Sequence, residues 1–165
     1  MMRLINFRFY NLIAILLLFS LPACATTGQE KIDEILKLKE EPAGVVFEIA
    51  TGSKDGLEWA LPLVKSQIDQ VRKRFPDIDV AIVTHGREQF ALQKQKKDGN
   101  KKVHSLTQQL VSKDIQLHVC GTHAEWRGVT EEDFPEYVNV AATGPAQIND
   151  YLSVGYVLVK ITSKP

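Results

Sequence analysis

Residues 115–129 have the sequence IQLHVCGTHAEWRGV, and their pattern predicts a buried strand that passes directly into a helix. Ile115 to Cys120 is a short, mostly apolar run of strand length, and Gly121 opens what we predict to be a first helical turn. A cysteine at this junction meets the positive end of the helix dipole and unpaired backbone N–H groups, which favour the thiolate over the thiol. Cys120 is therefore the candidate reactive residue, and a buried cysteine acting as a small apolar side chain is the alternative.

The rest of the chain supplies a scaffold for this strand. Four further apolar runs of strand length occupy residues 45–50, 78–83, 137–142 and 156–161. Helical periodicity lies between them, most clearly in the apolar residues that run from Leu57 to Phe75 in steps of three and four. Strands that are apolar along their length and alternate with helices predict an α/β domain, with a mainly parallel five-stranded sheet covered by helices on both faces.

Two chemically versatile side chains follow strands of this predicted sheet. His85 comes after the second strand and Cys120 ends the third. In open parallel sheets, ligands and chemistry gather at the carboxyl ends of the strands. We therefore expect His85 and Cys120 at the same edge.

Three other segments give further predictions. Pro62 is tolerated only in the first turn of a helix, so the helix that ends at Phe75 is predicted to begin close to it. The lysine-rich residues 94–102 are expected to form a mobile, solvated loop. The turn at residues 52–56 has neither the lysine–serine pair of a phosphate-binding loop nor the glycine spacing of a dinucleotide fingerprint, so no cofactor is expected.

The first 25 residues have the layout of a secretory signal. Arg3 and Arg8 precede an apolar run from Leu12 to Leu21 that is too short for a permanent membrane span. Small residues then offer cleavage after Ala25, and the alternative is a lipobox in which Cys24 becomes the acylated N-terminus. We therefore expect export to the periplasm, with a lipid anchor as the alternative.

Export changes the charge and the thiol content of the protein. Removal of residues 1–25 takes away two basic residues and no acid, leaving 18 basic and 20 acidic residues and a net charge of −2. Nothing in that balance recruits nucleic acid. The only other cysteine is Cys24, so Cys120 becomes a lone thiol in an oxidising compartment and forms no internal disulfide.

The histidines near Cys120 raise a second hypothesis. His118, Cys120 and His123 are good metal ligands, and His118 and Cys120 share one face of the predicted strand. Structural zinc sites commonly use paired cysteines and a fourth ligand, which this segment lacks. A non-catalytic binding or assembly module that holds a metal through these three residues is thus the alternative function.

The segment Leu117-His118-Val119-Cys120, followed after seven residues by Gly128-Val129, resembles the cysteine motif of the DsrE/DsrF-like (TusD-like) sulfur-relay family. Thr84-His85-Gly86 and Gly155-Tyr156 are similar to further parts of that family, and the resemblance covers roughly residues 44–161. It implies a flavodoxin-like three-layer fold and assembly into trimers or hexamers. It also implies a cysteine that carries sulfur as a persulfide, and Cys120 matches that cysteine.

These observations together give the working hypothesis. The chain divides into a signal peptide (1–25), a spacer or short helix (26–43) and a DsrE-like α/β domain (44–163). Its expected function is that of an exported sulfur carrier or sulfurtransferase, whose partners are a sulfur donor and an acceptor protein or small thiol. Cys120 is the nucleophile, Gly121 and Thr122 offer backbone N–H groups, and His85, His123 and Arg127 bind or tune charge. Because several family members are cytoplasmic and this chain carries an export signal, a role in tRNA thiolation is not expected.

Overall fold

The computed structural model describes residues 28–164. The predicted signal peptide (1–25) lies outside the described residues, and with it the choice between cleavage after Ala25 and acylation of Cys24. Within the described range, no helix combines the length and the apolar character needed to cross a membrane.

The centre of the domain is a sheet of five parallel strands in the order β4-β3-β2-β1-β5. The strands are β1 Gly44–Ile49, β2 Val80–Thr84, β3 Gln116–Cys120, β4 Asn139–Ala141 and β5 Tyr156–Ile161. All four pairings are parallel, so the predicted five-stranded sheet is confirmed.

Helices cover both faces of this sheet. They are α1 Gln29–Leu36, α2 Gly56–Arg74, α3 Lys101–Val111, α4 Gly121–Glu125 and α5 Gly144–Ser153. Short 3-10 helices occupy Arg87–Leu92, Lys94–Asn100 and Glu131–Asp133. The first three α-helices pack on one face and α5 on the other, which confirms the predicted three-layer α/β fold.

The apolar strands explain why this arrangement is stable. Alternate residues of β1 point to opposite faces: Phe47 enters the large core beneath α1, α2 and α3, whereas Val46 packs in the smaller core beneath α5. Both side chains are fully buried. A strand buried on both faces has to be apolar at nearly every position, which is the pattern seen in the sequence.

The segment before β1 packs as part of the domain. The sequence predicted a spacer or a short helix over residues 26–43, and the structure has α1 there. Ile32 and Ile35 of α1 are fully buried in the large core against α2 and β5. Of the two predictions for this stretch, the structure has the short helix, and that helix is a folded element of the domain.

Helix α2 begins earlier than Pro62 indicated. It starts at Gly56, so Pro62 lies in its second turn. The proline has no N–H for the carbonyl of Glu58, four residues before it. Both residues are exposed, so water can hydrogen-bond that carbonyl, and the expected start near Pro62 is wrong.

The lysine-rich segment is also more regular than expected, since Lys94–Asn100 forms an exposed 3-10 helix rather than an irregular loop.

Candidate functional site

The candidate site lies at the carboxyl edge of the sheet, where the chain leaves β3 and β4 in opposite directions. After Cys120 the chain enters α4, whose Ala124 packs in the large core. After β4 it enters α5, on the other face of the sheet. Adjacent strands whose connections part in this way create the crevice in which α/β proteins commonly bind ligands.

Cys120 is the last residue of β3, and its backbone is held by a buried side chain. The Cys120 N–H donates to Oε1 of Gln89 at 2.8 Å, and Nε2 of Gln89 donates to the Cys120 carbonyl at 3.3 Å. One side-chain amide thus pairs with both backbone groups, as a neighbouring strand would do. Gln89 is fully buried and Cys120 is 5% exposed, so the backbone of Cys120 is fixed in place and the residue is largely shielded from water.

The two residues after Cys120 attach α4 to the end of β4. A Cβ atom at Gly121 would lie 2.9 Å from the carbonyl oxygen of Ala141, so only glycine fits this approach. The N–H and the hydroxyl of Thr122 both donate to the Ala142 carbonyl, at 3.0 and 2.9 Å. The Thr122 N–H, one of the two backbone N–H groups predicted to be on offer beside Cys120, is therefore paired with a backbone carbonyl. Because α4 has only five residues, its dipole is also a weaker source of thiolate stabilisation than a long helix would be.

His85 follows β2 and is bonded to Glu48 of β1. Its Nε2 lies 2.8 Å from Oε1 of Glu48, and Lys160 of β5 approaches the other carboxylate oxygen at 3.4 Å. The hydrogen bond with His85 is the main cause that lowers the pKa of the Glu48 carboxyl, while burial opposes it and Lys160 assists it. Glu48 is accordingly an ionised partner for the imidazole at neutral pH.

His123 of α4 reaches back to the end of β2. Its Nδ1 donates to the carbonyl of His85 at 2.8 Å, and its ring meets that of Phe90 edge-on with centroids 5.1 Å apart. The guanidinium of Arg127 lies 6.0 Å from the centroid of the Phe90 ring. Trp126, 6.2 Å from the His123 ring, is 77% exposed. Arg127 therefore belongs to an exposed aromatic and cationic surface beside the site.

The buried carboxylate of Glu88 hydrogen-bonds the turns that follow β1 and β2. Oε1 of Glu88 accepts hydrogen bonds from the Gly86 N–H at 2.8 Å and the Thr84 hydroxyl at 2.9 Å. Oε2 accepts from the N–H and the hydroxyl of Thr51, at 3.2 and 2.9 Å. Glu88 is fully buried. Four donors from the ends of β1 and β2 thus converge on one side chain.

The structure does not assemble the metal site of the alternative hypothesis. His118 points toward α5, where its Nε2 lies 2.8 Å from the hydroxyl of Tyr151, and that hydroxyl donates to Gln116 at 3.0 Å. His123 instead bonds the carbonyl of His85. In the part of the chain that the structure describes, no group of three His, Cys, Asp or Glu side chains is spaced to hold a metal ion. The proposed ligand set of His118, Cys120 and His123 is therefore wrong.

Burial of two histidines predicts a loss of stability in mild acid. Burial lowers the pKa of His118 and is also the main cause that lowers the pKa of His104. The unfolded chain binds these protons near pH 6.5, the ordinary histidine value, so stability is intact above about pH 6.5. It falls as the pH drops from there through the folded-state pKa, by up to about 1.4 kcal/mol per pH unit for each proton.

Urea unfolding at pH 7.5 and at pH 5.5 measures this loss. In His118→Gln, whose amide can still donate to Tyr151 but does not titrate, the free energy of unfolding is expected to fall less between the two pH values than in the wild type. Equal falls in the two proteins would show that His118 makes no contribution.

Four residues of the site were missed by sequence reasoning. Three of them are the consecutive residues Glu88, Gln89 and Phe90 of the 3-10 helix Arg87–Leu92. The fourth is Glu48, the one acidic residue in the apolar run of β1. An acid inside a buried strand was a usable signal for Glu48. The glutamine and glutamate carried none, because polar residues next to a glycine turn usually face water.

The arrangement defines a class of protein: a small three-layer α/β domain that holds a thiol at the carboxyl edge of a parallel sheet. Within that class, residues 45–161 match the model of the DsrE/DsrF-like family, and the chain belongs to this family. Members of the family generally act in sulfur relay. No curated protein matches the sequence significantly.

Solved structures show the same fold. A protein of unknown function, MTH1491 from Methanobacterium thermoautotrophicum, is 18% identical with a TM-score of 0.55, and the match covers 70% of this chain and 96% of that one. The ychN protein from E. coli is 16% identical with a TM-score of 0.53, over 71% of this chain and 98% of that one. At these identities the likeness concerns the fold alone.

Proposed function

We propose that this protein is an exported sulfur carrier or sulfurtransferase that holds sulfur as a persulfide on Cys120. The observation that carries the proposal is the position of this thiol. Cys120 ends β3 in the crevice between β3 and β4, and Gln89 fixes its backbone there. Membership of a family that generally acts in sulfur relay supports the same conclusion.

The transfer needs no external oxidant or reductant. The Cys120 thiolate attacks the terminal sulfur of a donor persulfide, so that a new S–S bond forms and the donor's own S–S bond breaks. The donor leaves as a thiolate. An acceptor thiolate then attacks the terminal sulfur on Cys120, and Cys120 leaves as the thiolate that began the cycle. Donor and acceptor are proteins or small thiols.

Export and assembly complete the proposal. The basic start, short apolar run and small residues of positions 1–25 support transport to the periplasm, where the protein is released or is anchored through Cys24. In that compartment Cys120 is the one thiol that remains when residues 1–25 are removed. Trimers or hexamers are the expected assembly.

Mass spectrometry after exposure to a sulfur donor tests the function. The purified mature protein, which lacks residues 1–25 and with them Cys24, is incubated with polysulfide or with thiosulfate, and its mass is expected to rise by that of added sulfur. Dithiothreitol should reverse the increase, because it takes the terminal sulfur as a new acceptor thiol. Cys120→Ser should show no increase.

An unchanged mass with both donors would overturn the proposal, provided that Cys120 still reacts with iodoacetamide in the same preparation. That second measurement matters because Cys120 is only 5% exposed. It separates a thiol that cannot be reached from a thiol that is reached but does not accept sulfur.

A further inference from the structure

A carboxylate, an imidazole and a thiol lie on one face of three adjacent strands. Glu48 of β1 pairs in register with Val83 of β2, and Val83 packs in the smaller core beneath α5. His85, two residues beyond Val83, therefore points to the same face as Glu48. Thr84 pairs with Val119 of β3 in the last pair of that ladder. His85 and Cys120 follow this pair, and the Gln89 amide bonds the Cys120 backbone on the side that faces β2.

The bond between His85 and Glu48 sets which ring nitrogen is available. Nε2 of His85 lies 2.8 Å from the carboxylate, which can only accept, so Nε2 carries the proton. Nδ1 is then the nitrogen with the lone pair. Among residues 28–164, Nδ1 of His85 makes no hydrogen bond.

The ring of His85 is held in this orientation from several sides. The His85 N–H donates to the Ile49 carbonyl at 3.2 Å, and the His85 carbonyl accepts from Nδ1 of His123 at 2.8 Å. Gly144, at the start of α5, leaves room for the ring, because a Cβ there would lie 2.6 Å from the Cβ of His85. The imidazole is thus built into the carboxyl edge beside β3.

We propose that His85 accepts the proton of the Cys120 thiol and that Glu48 is its positioning residue. The S–H bond breaks, its electron pair stays on sulfur, and the proton forms the Nδ1–H bond of an imidazolium that the Glu48 carboxylate stabilises. The side chain of His85 is 21% exposed and Cys120 is 5% exposed, so the imidazole carries the proton from the shielded sulfur toward water. This inference rests on the proposed function only in taking the Cys120 thiolate as the working nucleophile.

Few other charges face this pair. Lys160 of β5 contacts the carboxylate of Glu48, His123 of α4 contacts the His85 carbonyl, and His118 lies two residues before Cys120 on the same face of β3. Helix α5 presents the uncharged Gly144. Burial lowers the pKa of His118, so that ring is neutral and supplies no positive charge for the thiolate at pH 7.

The rate at which iodoacetamide alkylates Cys120, measured by mass spectrometry from pH 5.5 to pH 10, tests the proposal. His85→Gln keeps a donor for Glu48 but does not titrate, and Glu48→Gln keeps the shape but loses the charge. At pH 7 both variants are expected to react about tenfold more slowly than the wild type, because a free thiol is only a few per cent ionised there. Above the ordinary cysteine pKa of about 8.5, the three rates should converge.

Convergence of the three alkylation rates at high pH distinguishes the loss of a proton acceptor from the loss of a residue that only packs. A variant that is slower by the same factor at every pH has lost only packing, and that result would overturn the proposal, as would an unchanged rate at pH 7. Asp69→Asn makes the same kind of change as Glu48→Gln in a partly exposed ion pair of α2 with Lys65, and should leave the profile unaltered.

The alkylation assay uses no sulfur donor, so the two proposals fail separately. Sulfur loading without dependence on His85 would leave the carrier function standing and remove this inference. An alkylation profile that depends on His85, in a protein that takes up no sulfur, would support this inference and remove the carrier function. The ratio of the variant rate to the wild-type rate is compared across pH, so a moderate loss of stability does not obscure the result.

Discussion

Replacing Glu88 with alanine is expected to lower the free energy of unfolding by about 3 kcal/mol or more. The carboxylate is fully buried and accepts four hydrogen bonds, two through Thr51 and one each from Thr84 and Gly86. Alanine would leave three of the four donors without an acceptor, since the Thr51 hydroxyl also lies 3.3 Å from the Ser53 carbonyl oxygen. Such groups cost about 1–3 kcal/mol each when they stay buried and unpaired. Urea unfolding monitored by circular dichroism measures the loss.

A second variant shows whether hydrogen bonding or volume is responsible. In Glu88→Gln the size is kept, but the new NH₂ group must face a backbone N–H, either of Thr51 or of Gly86. The free energy of unfolding of Glu88→Gln should fall by about half or less of the fall in Glu88→Ala. Glu136→Ala removes an exposed glutamate, and should stay within about 0.5 kcal/mol of the wild type. A loss in Glu88→Ala no larger than in this control would contradict the argument.

Replacing Gln89 with methionine should destabilise the protein by about 2–4 kcal/mol. Methionine has nearly the same length and volume, so the core stays filled, but it can pair with neither the N–H nor the carbonyl of Cys120. Both groups are buried in the structure and bond to the Gln89 amide. The end of β3 is expected to loosen. Alkylation of Cys120 at pH 9, where a free thiol is ionised, should therefore become faster than in the wild type.

Gln109→Met is the matched control for this change. Gln109 is exposed on α3, where its amide makes one long contact of 3.4 Å with Ser105. The substitution should alter neither unfolding nor alkylation. Wild-type stability in Gln89→Met would mean that water replaces the side-chain amide without cost. Unchanged alkylation together with lost stability would mean that the shielding of Cys120 comes from elsewhere.

The sheet could be predicted from sequence because its strands are buried on both faces. Such strands form continuous apolar runs that stand out from the helical periodicity between them, as Val45-Val46-Phe47 does before α2. The position of Cys120 followed from the same signal, because an apolar run that ends before a glycine marks the end of a strand. Helix α1 was less clear, since it is short and only Ile32 and Ile35 mark its buried face.

The contacts that hold Cys120 could not be predicted, because they join residues far apart in sequence. Gln89 is 31 residues from Cys120, and Glu88 is 37 residues from Thr51. Nothing in a glycine turn followed by polar residues indicates that two of them turn inward. The metal hypothesis failed for a related reason. His118 and His123 are close in sequence, yet one belongs to a strand covered by α5 and the other to a helical turn that faces β2.

The amide of Gln89 has a consequence for how the edge of the sheet can open. On the side that faces β2, the pairing at Cys120 is made by a side chain, so it breaks through rotation about side-chain bonds while the ladder between β2 and β3 stays intact. On the other side, Cys120 keeps its register with Ala141 of β4. Rotamer changes are far smaller events than the unzipping of a parallel strand. The backbone that carries the thiol can thus be released from the β2 side alone, without any strand leaving the sheet.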